Sequence, residues 1–109
     1  MTTVFAIHAP DKARLPAIVE EMRTLGAPTI KVVDCGDHFI ALEGSHRLAA
    51  AAALDLNPVF IIHDQDEEID ISAYDWFEPQ NWAETTYLAG EVAGELFSPH
   101  QAVDYRFDA

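Results

Sequence analysis

Five consecutive alanines, Ala49 to Ala53, constrain this chain more than any other feature. Alanine has the highest intrinsic helix propensity, so the stretch from His46 to Leu54 is expected to be a helix. Small side chains on both of its flanks would let it lie close against a sheet. The flanking sequence agrees with that picture. His38-Phe39-Ile40-Ala41-Leu42 reads as a strand, Glu43-Gly44-Ser45 breaks it, and Ser45 is a good N-cap for the helix. Asn57-Pro58 then ends the helix, and the apolar run Val59-Phe60-Ile61-Ile62 reads as a buried strand. A strand that passes through a glycine turn straight into a helix leaves the first helical amides without partners. It also turns the positive end of the helix dipole outward.

Upstream, Val4-Phe5-Ala6-Ile7 is a short β-rich run stopped by Ala9-Pro10. Asp11 is a candidate cap for a following helix, where Leu15, Ile18, Val19, Met22 and Leu25 form one apolar stripe that Gly26 and Pro28 stop. Pro16 must lie in the first turn of that helix, which leaves its start open between Lys12 and Leu15. Thr29-Ile30-Lys31-Val32-Val33 pairs with the strand after it across the turn Asp34-Cys35-Gly36-Asp37, a β-hairpin. The order is therefore β-α-β-β-α-β over residues 4 to 62, an α+β domain. One domain fits the whole of 1–109: a core at 4–63, an acidic loop at 64–70 and a C-terminal helical appendage at 71–109. In the appendage, Asn81 and Glu84 have capping-box spacing and predict a helix with Trp82, Leu88, Ala89, Val92, Ala93 and Leu96 on its apolar face.

Charge sets the partners. With 19 Asp plus Glu against 6 Lys plus Arg, the formal net charge is −13. Binding to a nucleic acid duplex depends on neutralising phosphates, so duplex DNA and RNA are excluded as general partners. Half of the residues are hydrophobic, enough for a core without staples. No run approaches the ~20 apolar residues of a membrane span, and Met1-Thr2-Thr3-Val4 lacks the basic start of a signal peptide. The single cysteine, Cys35, allows no intramolecular disulfide and fits a reducing cytoplasm, which is the expected location.

The segment Glu43-Gly44-Ser45-His46-Arg47 is the candidate site. Gly44 lets an anion approach the backbone, Ser45 offers a hydroxyl, and His46 and Arg47 put donors in the first turn. A cation at a helix N-terminus is mildly unfavourable, a cost that a bound anion would offset. Two other accounts fit the same residues. Ser45 caps the helix while Arg47 pairs with a carboxylate, or the pocket serves some other anionic small molecule.

This motif, with the alanine-rich helix and Leu54-Asp55-Leu56-Asn57-Pro58-Val59-Phe60-Ile61-Ile62 behind it, resembles the ParB/sulfiredoxin superfamily. Sulfiredoxins carry Gly-Cys-His-Arg here, ParB proteins Gly-Glu-Arg-Arg, and the related free-serine kinases Asp-Gly-His-His-Arg. The resemblance covers roughly residues 4 to 63. It implies a ParB/sulfiredoxin-like fold and a nucleotide site, for ATP, ADP or CTP, whose phosphates lie on Gly44, Ser45, His46 and Arg47. Glu43 falls at the kinase's catalytic aspartate, which implies a catalytic base or a Mg²⁺ ligand, with His46 beside it as a second catalytic candidate. A small phosphotransferase or nucleotide hydrolase would follow; the alternative is a non-catalytic interaction module that keeps the fold. Ser45 in place of the sulfiredoxin cysteine excludes sulfinic-acid repair, and the helix-turn-helix of ParB is missing. The arginine that ParB relatives place before the first helix is matched loosely by Arg14 or Lys12.

Other residues point to structure rather than chemistry. His8, His38, His46, His63 and His100 with Asp34, Asp37, Asp64 and Asp66 have no recognised metal-ligand spacing. The acidic loop lacks the glycine and spaced oxygens of an EF-hand. Asp34 and Asp37 should raise the Cys35 pKa. Tyr74, Trp76, Phe77, Trp82 and Tyr87 are expected to pack on the sheet or on a partner. Gly90 and Gly94, one helical turn apart, suggest a close helix contact and a homodimer through the C-terminal helix.

Overall fold

The alternation of strands and helices in the first 63 residues is the one that the patterning predicts. A computed structural model, which describes residues 1–108, has β1 (Thr2–Ala6), α1 (Leu15–Leu25), β2 (Thr29–Asp34), β3 (Phe39–Ala41), α2 (Ser45–Ala53) and β4 (Val59–His63). These are followed by β5 (Glu68–Asp70), β6 (Thr86–Leu88), α3 (Ala89–Leu96) and β7 (Val103–Phe107). The class is α+β. A five-stranded mixed sheet runs in the order β4-β2-β3-β1-β7, beside a two-stranded β5-β6 ribbon. β2 and β3 form the expected hairpin, with Val33 opposite Ile40, and the Asp34 side chain accepts from the Gly36 amide at 2.9 Å in its turn.

Alternation along the strands gives the sheet two apolar faces. On one, Val4, Ala6, Ile30, Val32 and Ala41 meet Met22 of α1 and Leu48, Ala50 and Ala51 of α2. On the other, Val33, Ile40 and Leu42 meet Ile69, Ile71, Ala89, Val92 and Ala93, with the aromatic group packed around them. The alanine run works as expected on its inner flank: Ala49, Ala50 and Ala51 are buried, while Ala52 and Ala53 face outward. The sheet also curls. Phe60 of β4 lies 5.4 Å from Phe39 and 6.2 Å from Phe107 of β7, ring centre to ring centre. The Asp108 amide donates to the Asn57 side chain at 3.1 Å. The two outer strands thus approach each other at one end.

Several expectations need correction. α1 starts at Leu15 with Pro16 in its first turn, and its N-cap residue is Arg14, not Asp11. Asp11 instead accepts the Ala13 amide on its side chain, and its carbonyl accepts Arg14 and Leu15. Leu25, the last residue of the stripe, is 73% exposed because the helix ends there. Ser45 is the first residue of α2 and does not cap it. Gly44 is the N-cap, at φ +80°, a left-handed conformation that suits glycine and turns β3 into α2 more sharply than an extended serine would. β4 is an outer strand, not a buried one, and exposes Val59, Ile61 and Ile62. No helix starts at Asn81. Residues 86–88 pair with β5, and Thr85 accepts the Ile71 amide, so their backbone bonds go to the ribbon. The 64–70 loop contains β5, and the 71–109 segment is no mere appendage, because β7 pairs with β1 along five positions, from Thr2–Phe107 to Ala6–Val103. Among the described residues no helix is long and apolar enough to cross a membrane.

Candidate functional site

The turn from β3 into α2 opens onto a cavity of about 770 Å³. Glu43, Gly44, Ser45, His46 and Arg47 line it together with His8, Arg14, Tyr74 and Trp76. Three segments distant in sequence therefore meet at the predicted motif: the loop from β1 to α1, the α2 turn, and the aromatic stretch that follows β5.

The first intrahelical bond of α2 runs from the Leu48 amide to the Gly44 carbonyl at 2.8 Å. The amides of Ser45, His46 and Arg47 precede it and have no helical acceptor. A side chain at Gly44 would stand 2.7 Å from Ile30 Cδ1 and 3.2 Å from Arg47 Nη2, both ends of side chains that can give way, so it is the positive backbone angle that favours glycine there. Ser45 is only 4% exposed. Among the described residues its hydroxyl has no protein hydrogen-bond partner, yet no buried side-chain oxygen or nitrogen there is left unpaired, so the Ser45 oxygen is open to the cavity that the residue lines.

Arg47 folds back rather than outward. Nη1 donates to the Thr29 carbonyl at 3.1 Å, and Nη2 lies 3.5 Å from Glu43 Oε1. This is the carboxylate pairing that the sequence left open, and it ties α2 to β2. One of the five guanidinium N–H donors is hydrogen-bonded in this way, Nη2 makes the ion pair, and the residue still borders the cavity.

His46 is held from the other side. The Asp11 amide donates to its Nε2 at 2.9 Å, which places the ring proton on Nδ1. Burial lowers its pKa below the usual imidazole value; the charges of Arg14 and His8 act in the same direction and Asp11 opposes them. Neutral His46 therefore offers one donor, Nδ1–H, and no free base. His8 packs edge-on against it, ring centres 5.8 Å apart. Of the two basic residues before α1, Arg14 lines the cavity and Lys12 does not.

The aromatic wall was expected only as packing. Trp76 Nε1 donates to the Leu42 carbonyl at 2.6 Å, immediately before Glu43. Tyr74 stacks on Trp76 at 5.0 Å and an interplanar angle of 11°. Burial, then the Glu43 charge, pushes the Tyr74 pKa up to about 12. No spacing rule joins residue 76 to residue 42, so sequence reasoning missed this bond; the composition shift after residue 70 was its only signal.

Other candidates stay apart from the cavity. His38 meets Asp37 at 2.7 Å, and His63 pairs with Glu67. Among the described residues no three His, Cys, Asp or Glu side chains gather as a metal site. Burial raises the Cys35 pKa, with Asp34 and Asp37 adding to it. Gly90 packs within the chain, since a side chain there would meet Gln65 at 2.9 Å, whereas Gly94 faces open space. Compared with family models, curated proteins and solved structures, the chain has no match.

Proposed function

We propose that the α2 turn binds the phosphate of a small molecule, a nucleotide being the best fit, on a fold of the ParB/sulfiredoxin type. The observation that carries this reading is the convergence at one cavity of the Ser45 hydroxyl, which has no protein partner among the described residues, with the three α2 amides that lack a helical acceptor and with Arg14 and Arg47. Arg14, the Nδ1–H of His46 and the outer donors of Arg47 supply further hydrogen bonds, and the Tyr74–Trp76 pair offers a flat apolar wall for a base.

No ready-made Mg²⁺ cage is present: Glu43 is paired with Arg47, and among the described residues no three His, Cys, Asp or Glu side chains gather as ligands. Glu43 as a base would first have to leave Arg47, so binding is proposed ahead of turnover. The test is titration calorimetry with ATP, ADP, CTP and pyrophosphate. Ser45→Ala should leave the melting temperature unchanged, because the hydroxyl has no partner to lose, and should weaken binding several-fold. No heat from any of the four at millimolar concentration overturns the reading.

A further inference from the structure

We infer that the outer edge of β4 is a docking strand for an extended, lysine- or arginine-rich peptide segment of another protein. It is separate from the α2 cavity and does not depend on it. The Val59 amide donates to the Pro28 carbonyl at 2.9 Å, and the parallel register runs from Thr29–Val59 to Val33–His63. Backbone groups alternate in direction along a strand. Val59, Ile61 and His63 therefore bond inward to β2, while the N–H and C=O groups of Phe60 and Ile62 point away from the sheet. β4 ends the strand order, so nothing in the sheet takes those groups. Its side chains are open as well: Val59 is 59%, Ile61 43% and Ile62 51% exposed.

An uncharged, apolar outer strand is what folded proteins ordinarily avoid, because it templates further pairing. The other outer strand, β7, follows the rule by carrying exposed Asp104 and Arg106. β4 has no charge from Val59 to Ile62. Beyond its end, however, Asp64, Asp66, Glu67 and Glu68 are all exposed. The nearest cation on the neighbouring strand, Lys31, lies opposite Ile61 but directs its ammonium over the Tyr74 ring at 5.7 Å, away from this edge.

That charge pattern chooses the occupant. A second copy pairing antiparallel through β4 would bring each acidic loop towards Asp55 of the other copy and join two chains of charge −13. Like charges juxtaposed in this way cost association. A cationic extended segment meets the same amides and apolar side chains and is drawn to the acidic end, the usual mode of strand addition.

The experiment uses the full chain and a fluorescent peptide of about ten residues alternating lysine with valine and threonine, read by anisotropy, with its glutamate counterpart as control. The expected result is saturable binding of the lysine peptide, at least tenfold weaker for the glutamate peptide and weaker in higher salt. Ile62→Pro removes an outward N–H while sparing the ladder to β2 and should weaken binding at least tenfold; Ile62→Thr should stay within about twofold. The double variant Asp64→Asn, Asp66→Asn should weaken it severalfold, and it tests the charge without touching the strand. No binding of the lysine peptide, equal binding of both peptides, or a dimer in light scattering that Ile62→Pro dissolves would each overturn the proposal.

Discussion

Both faces of the main sheet are lined by buried aliphatic side chains, but they are built differently. The face under α1 and α2 is closed by neighbours in sequence and by small residues, so that α2 lies flat on Ala50 and Ala51. The opposite face is closed by residues 69 to 97, which reach it only after the sheet's first four strands have passed, and it is filled with rings: Tyr74, Trp76, Phe77, Trp82, Tyr87 and Phe97. The first face determines where the α2 amides point. The second supplies the wall of the cavity and fastens it with one indole. Alanines make a rigid platform, and large rings make a cover of a particular shape.

The strongest way to break this comparison is to hollow each face in turn. Leu48→Ala and Ile71→Ala each remove a side chain that is fully buried, and each should cost about 2–5 kcal/mol in urea unfolding. Both tryptophans lie on the second face, so fluorescence reads that face and far-ultraviolet circular dichroism reads the whole. Coincident transitions are expected. An early fluorescence transition in Ile71→Ala alone would show that the second face opens separately.

Gly44→Ala comes next. The left-handed angle should cost roughly 1–3 kcal/mol, measured by the same unfolding curves. A smaller effect follows for Trp76→Phe, which keeps the ring packing but loses the bond to Leu42, about 1 kcal/mol. Nucleotide affinity should fall with it; full affinity would detach the aromatic cover from the site.

The smallest effect is on pH. The folded pKa of His46 is depressed, so between that value and the ordinary imidazole value of about 6.5 the unfolded chain binds the extra proton. Stability should therefore decline as pH falls through 6.5 and recover above it. His46→Gln, which retains an acceptor for the Asp11 amide, should flatten that part of the profile. An unchanged slope would assign it to another group.

The difference between the faces also explains what could be read in advance. Residues 4 to 63 declare themselves through local signals: an apolar stripe ended by Gly26 and Pro28, a turn at Gly36, an alanine helix. β5 and β6 are three residues each, too short for any periodicity to speak. β7 does carry one, Val103, Tyr105 and Phe107 alternating with Asp104 and Arg106, a legible signal that was missed. β4 misled in the other direction, since a continuous apolar run normally means cover on both sides. At the site, the motif itself was legible, whereas the Asp11–His46 and Trp76–Leu42 bonds join residues 35 and 34 positions apart and leave no trace in spacing.

The pairing of β1 with β7 sets a timetable. Thr2 and Phe107 are opposite one another in the sheet although the whole chain separates them, so loop closure between them is among the slowest events of folding. During synthesis β1 and its neighbours must wait with one flank bare until residues 103–107 appear. For that interval the nascent sheet has two unguarded sides instead of one, and the hydrophobic register of β1 is held by β3 alone. A chain arranged in this way should refold more slowly than its length suggests, and it should be most prone to aggregate while its last strand is still missing.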